Sequence, residues 1–177
     1  GWSDITEWDP QVGPLSEKCR VIRYDRRGCG RSEPKDVTQS PDLWVEDLLH
    51  FMDALNLDSA VIGGVSFGGM LLMEFLLKHP QRVKGAIIVS ATAGGYEGSP
   101  GYEVPFPNRL TELKKVRVPA LVIQADGDDI FPPSHGEAIA GAIPNAQLVV
   151  LKGGHTVNID NPEAFNQALL SWLEQLR

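Results

Sequence analysis

A serine stands between two glycines where an apolar run gives way to a stretch free of glycine and proline. Val61 and Ile62 lead into Gly63-Gly64-Val65-Ser66-Phe67-Gly68-Gly69, and residues 70–78 then read as a helix. Gly-x-Ser-x-Gly between a strand and a helix is the signature of a nucleophile elbow. The serine must occupy a sharp, strained turn. A Cβ at either flanking glycine, Gly64 or Gly68, is expected to collide with the neighbouring strand or helix. The amides that open the following helix point at the serine, where a reacting carbonyl would develop negative charge. An ordinary serine in a glycine-rich turn is the bland alternative, and the strand and helix on either side argue against it.

Elsewhere short apolar runs alternate with helical stretches. Residues 21–24, 59–65, 85–90, 120–124 and 147–151 read as strands. Helices are expected near 15–18, over 40–56, 70–78, near 110–115, and over 134–143 and 162–176. Ser40 is the expected N-cap of the second, with Pro41 in its first turn, and Trp44, Leu48, Phe51, Met52 and Leu55 keep the 3.6-residue period. Asn161 is the expected N-cap of the last. Residues 91–108, rich in Gly and Pro and without a period, read as a loop. Strands that are apolar on both faces and joined by helices build a parallel sheet covered on both sides. The 177 residues suffice for a single domain over 1–177.

Composition narrows the partners. A net charge of −7 disfavours nucleic acid and anionic membranes. No apolar run approaches the roughly 20 residues of a membrane span. Cys19 and Cys29 form neither a disulfide framework nor a metal motif, so both are expected as free thiols in a reducing, cytoplasmic setting. No metal or cofactor is expected.

A serine hydroxyl becomes a useful nucleophile only when a base takes its proton, and a third group must hold that base. Of the four histidines, His50 lies within a helix beside Phe51, His79 precedes Pro80 at a helix end, and His135 falls in the first turn of a helix. His155 follows a strand, in Gly153-Gly154-His155-Thr156. That is the carboxyl end of a parallel strand, where open α/β sheets keep their sites. The acid is expected at the end of strand 120–124, where Asp126, Asp128 and Asp129 cluster. The resulting chain order is serine, aspartate, histidine.

With these residues the chain resembles the α/β-hydrolase superfamily, in the branch of serine esterases, enol-lactonases and cofactor-free haloperoxidase-like enzymes. Tyr24-Asp25-Arg26-Arg27-Gly28-Cys29-Gly30-Arg31-Ser32 is similar to the family's loop after its fourth strand. Gly63 to Gly69 matches its elbow, and His79-Pro80-Gln81-Arg82-Val83 its elbow-helix end. The family's acid follows a small residue and two variable ones and stands four residues before a proline. Ala125-Asp126-Gly127-Asp128-Asp129-Ile130-Phe131-Pro132 fits with Asp128 as that acid, and the interval to His155 (155 − 128 = 27) is usual.

The resemblance implies a truncated α/β-hydrolase fold, a mostly parallel sheet with helices on both faces and no cap domain. Relatives insert a helical cap between the strands ending near Ser90 and starting near Ala120, and this connection has no room for one. A shallow, open pocket is expected. Relatives also carry a strand ending in His-Gly before a Trp-containing stretch like Trp2 to Trp8, and that strand lies between those matching 21–24 and 60–65. With Gly1 as that glycine, the amides of Trp2 and Phe67 are the implied oxyanion-hole donors. Direct pairing of 21–24 with 60–65 is then expected, in a sheet of five or six strands. Its open apolar edge at Val21 and Ile22 invites another chain, so a homo-oligomer is expected.

The implied activity is cleavage of carboxylic esters or lactones of small molecules by Ser66, His155 and Asp128 through an acyl-enzyme. Perhydrolase or haloperoxidase-like chemistry on the same residues is the alternative within enzymes. A catalytically weak fragment or a binding protein is the alternative outside them. Serine at the elbow argues against the epoxide- and halide-displacing members, which place aspartate there. Asp25 is read as a carboxylate that satisfies amides or arginines of its own glycine-rich loop.

Overall fold

The computed structural model describes residues 4–33, 40–96 and 106–176. A 3₁₀ turn, Ile5–Trp8, runs into α1 (Asp9–Ser16), and α2 (Pro41–Ala54) precedes β1 (Ala60–Val65) and α3 (Phe67–Lys78). Then come β2 (Val83–Val89), β3 (Gly94–Tyr96), β4 (Phe106–Asn108), α4 (Leu110–Leu113) and β5 (Ala120–Ala125). Next are α5 (Pro133–Ala142), β6 (Ala146–Leu151), α6 (Val157–Asp160) and α7 (Pro162–Gln175).

β1, β2, β5 and β6 form one parallel sheet in that order. β5 is buried at every position and β2 at all but Lys84, as strands with helices on both faces must be. On one face Trp44, Leu72, Phe75, Ile88 and Ile139 belong to a core that packs α2, α3 and α5 against the sheet. On the other, Leu121, Ile123, Phe165, Leu169 and Trp172 pack α7 against it. The expected fold class, a parallel sheet covered on both faces, is the one observed.

Local signals explain most element ends. Ser40 caps α2 by accepting a hydrogen bond from the Leu43 amide at 3.2 Å. Asn161 does not cap α7. Its side-chain amide donates instead to the Lys152 carbonyl, and Pro162 opens the helix. α1 starts earlier than the expected 15–18, because Pro10 occupies its first turn, where a missing N–H costs nothing. Residues 91–108 are not loop throughout. β3 and β4 form an antiparallel ribbon with Gly94 opposite Asn108 and Tyr96 opposite Phe106, too short to show a period.

The larger departure is at 21–24. Among the described residues this segment joins no ladder, and β1 is the edge of a sheet of four strands rather than five or six. Side chains hold the segment in place. Arg23 donates to the Ile5 carbonyl and the Asp9 carboxylate, and Tyr24 stacks on Phe51 at 4.6 Å. A cavity of about 350 Å³ lies between the segment and β1, so direct pairing does not occur.

The described residues between β2 and β5 hold only the ribbon and α4, with no cap domain. Arg109, at the start of α4, donates its backbone amide to the Ala93 carbonyl. Its guanidinium bonds both oxygens of the buried Glu74 carboxylate on α3 at 2.8 Å. The pair fastens the short connection to the elbow helix. Arg109→Ala leaves the buried Glu74 side chain short of its main partner. A loss of about 3 kcal/mol in a chemical denaturation curve is expected.

Candidate active site

Ser66 has φ 53° and ψ −114°, a left-handed position that side chains other than glycine rarely take. The backbone around it over-determines this strain. Its amide donates to the Val89 carbonyl at 2.8 Å, and its carbonyl accepts from Gly69 and Met70 as α3 begins. At Gly64 a Cβ would lie 2.2 Å from the carbonyl carbon of Gly68, so only glycine fits. A Cβ at Gly68 would meet nothing within 4 Å, which corrects the expectation that both flanking positions are closed. The second tight position is Gly69, where a Cβ would lie 2.7 Å from that of Ala91.

His155 follows β6 in a turn that Gly153, at φ +154°, makes possible. Cross-bonds tie this turn to the end of β5. Gly127 donates to the Gly153 carbonyl, and Gly153 donates to Asp126. Gly154 donates to Asp160. His155 Nε2 then lies 2.8 Å from Ser66 Oγ, and Nδ1 lies 2.9 Å from both carboxylate oxygens of Asp128. An Nδ1–H donating to the carboxylate leaves Nε2 as the acceptor facing the serine.

The Asp128 side chain is fully buried, whereas 16% of the imidazole is exposed. Burial is the largest single influence on the carboxyl and opposes its ionisation. The amides of Phe131 and Ile130 and the His155 ring together outweigh burial and hold it below the ordinary carboxylate range. Gln124, completely buried near the end of β5, donates to Asp128 at 3.1 Å and to the Phe131 carbonyl at 2.7 Å. Sequence reasoning passed over Gln124. The available signal was a lone amide side chain in an otherwise apolar strand.

Of the three clustered aspartates only Asp128 meets His155. Asp126 is exposed and accepts from Gly153, and Asp129 is exposed. His135 Nδ1 lies 2.8 Å from the Thr92 hydroxyl, and His79 packs on Phe75. Asp25 accepts from the amides of Ile5 and Arg31, and a Cβ on Gly30 would sit 2.3 Å from its carboxyl. Phe67 is the first residue of α3, beside Ser66. The Arg26 guanidinium lies 4.3 Å from its ring centroid and 4.9 Å from that of Trp44, an arrangement with no sequence signal. Trp2, the other expected donor, lies outside the described residues. Among the described residues no group of three or more His, Cys, Asp and Glu is arranged to hold a metal ion. None of the described helices is long and apolar enough to cross a membrane.

The family model of the alpha/beta hydrolase fold matches residues 1–105 and 92–162. The chain belongs to the α/β-hydrolase fold family. The two matched pieces of this α/β hydrolase meet at 92–105, within the shortened connection between β2 and β5. A protein of Caulobacter sp. strain K31, named provisionally for carbamate hydrolysis, is 26% identical over 233 residues, covering 95% of this chain and 85% of its own. That alignment is longer than the 177 residues here, so the relative carries residues inserted within it. The 2-hydroxymuconate semialdehyde hydrolase of Pseudomonas putida is 27% identical over 90% of this chain and 79% of its own. Among solved structures, the enol-lactonase of Burkholderia xenovorans LB400 superposes with a TM-score of 0.88 at 24% identity, over 97% of this chain and 87% of its own.

The elbow geometry separates two glycines that look alike in sequence. Gly64→Ala is expected to cost upwards of about 3 kcal/mol, since its Cβ meets backbone that cannot move aside. Gly68→Ala is expected to be neutral or to stabilise by up to about 1 kcal/mol, as an alanine within a helix. Urea denaturation of the two variants checks the difference.

Proposed function

We propose that this chain is a serine hydrolase of carboxylic esters or lactones of small molecules. The observation that carries the reading is the unbroken hydrogen-bonded series from Ser66 through His155 to Asp128. Ser66 Oγ attacks the substrate carbonyl while His155 Nε2 takes its proton. Asp128 stays ionised and stabilises the imidazolium. The amides of Phe67 and Trp2 hold the oxyanion, each worth on the order of 10²–10³ in rate. Collapse of the tetrahedral intermediate expels the alkoxide, protonated by His155, and leaves an acyl-Ser66. Water, deprotonated by His155, attacks that ester and releases the acid.

Ser66→Ala is expected to abolish hydrolysis of p-nitrophenyl acetate and labelling by a fluorophosphonate, with the circular dichroism spectrum unchanged. Asp128→Asn should lower kcat by about four orders of magnitude. Retention of most of the activity by Ser66→Ala would overturn the assignment.

The short connection between β2 and β5 leaves little wall for a long acyl chain. Acetate esters are therefore expected to be turned over with a higher kcat/KM than decanoate esters. The reverse order in a p-nitrophenyl series would remove the open-site reading.

A further inference from the structure

The turn that carries His155 continues without a break into α6. Ile159 and Asp160 donate their amides to the Thr156 carbonyl, and the Asp160 carboxylate accepts from the Gly154 amide, so turn and helix form one unit. One side of this unit is tied to the end of β5 through Asp126, Gly127 and Asp128. The other side meets the 3₁₀ turn and α1, from the opposite end of the chain. Asn158, completely buried on α6, donates from Nδ2 to the Glu7 carbonyl at 2.7 Å and to Gln11 Oε1 at 3.4 Å. Gln11, buried on α1, donates in return from Nε2 to the Asn158 carbonyl at 2.9 Å.

The backbone explains why an outside donor is needed there. A helical carbonyl accepts from the residue four places on, and for Asn158 that residue is Pro162, which has no N–H. Gln11 supplies the missing donor. The amide oxygen of Asn158 is buried too, and among the described residues it has no hydrogen-bond partner. A side chain that carries an unpaired buried oxygen is a costly way to fill space. What the two facing amides supply is direction, since apolar contact alone would let α6 slide along α1. Asp128 grips the imidazole only at Nδ1, so the ring can still swing about that bond if its backbone moves. A misplacement of about 1 Å is enough to lower a rate about a hundredfold.

We propose that Asn158 and Gln11 are positioning residues for the base: they brace the α6 side of the His155 turn, so that Nε2 stays aimed at Ser66 Oγ. The inference rests on the proposed chemistry of Ser66 and adds to it two amides whose hydrogen bonds involve none of the three reacting side chains. Asn166 provides a control. It donates from α7 to the Pro10 carbonyl at 3.0 Å, and so ties the same helix α1 to the fold without bonding to the His155 turn or α6.

The test compares Gln11→Met, the double variant Gln11→Met with Asn158→Leu, and Asn166→Ala in the intact chain, with p-nitrophenyl acetate as substrate. Gln11→Met keeps the side-chain volume and loses the amide. It should lower kcat and the rate of fluorophosphonate labelling by about tenfold or more, with KM changed by less than about twofold. The pH of half-maximal kcat/KM should not move, because Asp128 still holds the imidazole. The double variant sets apolar against apolar, and should melt near the wild type while kcat stays low. Asn166→Ala should melt earlier with kcat unchanged. A wild-type kcat in Gln11→Met overturns the proposal, as does a kcat that recovers with the melting temperature in the double variant. An equal loss of kcat in Asn166→Ala also overturns it. Ser66→Ala, assayed alongside, separates the two readings. Activity that survives it overturns the assignment of Ser66 and the bracing role together. Activity that it abolishes and Gln11→Met leaves intact overturns the bracing role alone.

Discussion

Asp128 bears a charge with none of its side chain open to solvent, and the carboxyl ends of β5 and β6 are shaped around that cost. A buried carboxylate is tolerated only when its oxygens are fully satisfied. Here the turn that follows it supplies two amides, and Gln124 and His155 supply the rest. Gln124 in turn is pressed by α5, since Gly136 has no room for a Cβ beside it. The position of one imidazole therefore rests on a sequence of contacts that starts at a helix on the far side of β5.

Parallel pairing converts distance along the chain into proximity. Ser66 and His155 are 89 residues apart in sequence, yet both follow the carboxyl ends of strands in one sheet, as does Asp128. All-parallel order puts those ends on one edge. The register of β5 and β6, with Ala125 opposite Leu151, brings the two turns level so that Gly127 and Gly153 can bond across. A slip of two residues would separate His155 from Asp128 by roughly 7 Å.

The positions that the fold brings together at the candidate site were legible because they obey local rules. Ser66 stands in a motif whose strand and helix are visible as changes of period, and His155 follows the last apolar run. Asp128 was harder. Three aspartates within four residues look equivalent by composition, and only the family's spacing separated them. What stayed hidden depends on neighbours in space. Gln124 reads as a polar interruption until the carboxylate beside it is seen. Gly68 looks like Gly64, but the close approach involves the Cβ side of one and only the backbone of the other. Residues 21–24 have the apolar, β-branched composition of a strand, and composition cannot say whether a partner lies within hydrogen-bonding reach. Asn161 has the residue type of a cap, and its side chain found the Lys152 carbonyl first.

The Glu74–Arg109 pair has a consequence for how such a chain tolerates change in length. It secures the end of the β2–β5 connection directly to α3, so the elbow helix does not rely on the intervening residues for its anchorage. Chain entering the β3–β4 ribbon after Ala93 and leaving it at Arg109 is stapled at its base by their backbone hydrogen bond. Each doubling of a flexible loop closed in this way costs only about 0.6 kcal/mol. The base of the ribbon is thus a natural splice point, where whole helices can be gained or lost while the chemistry beneath keeps its alignment.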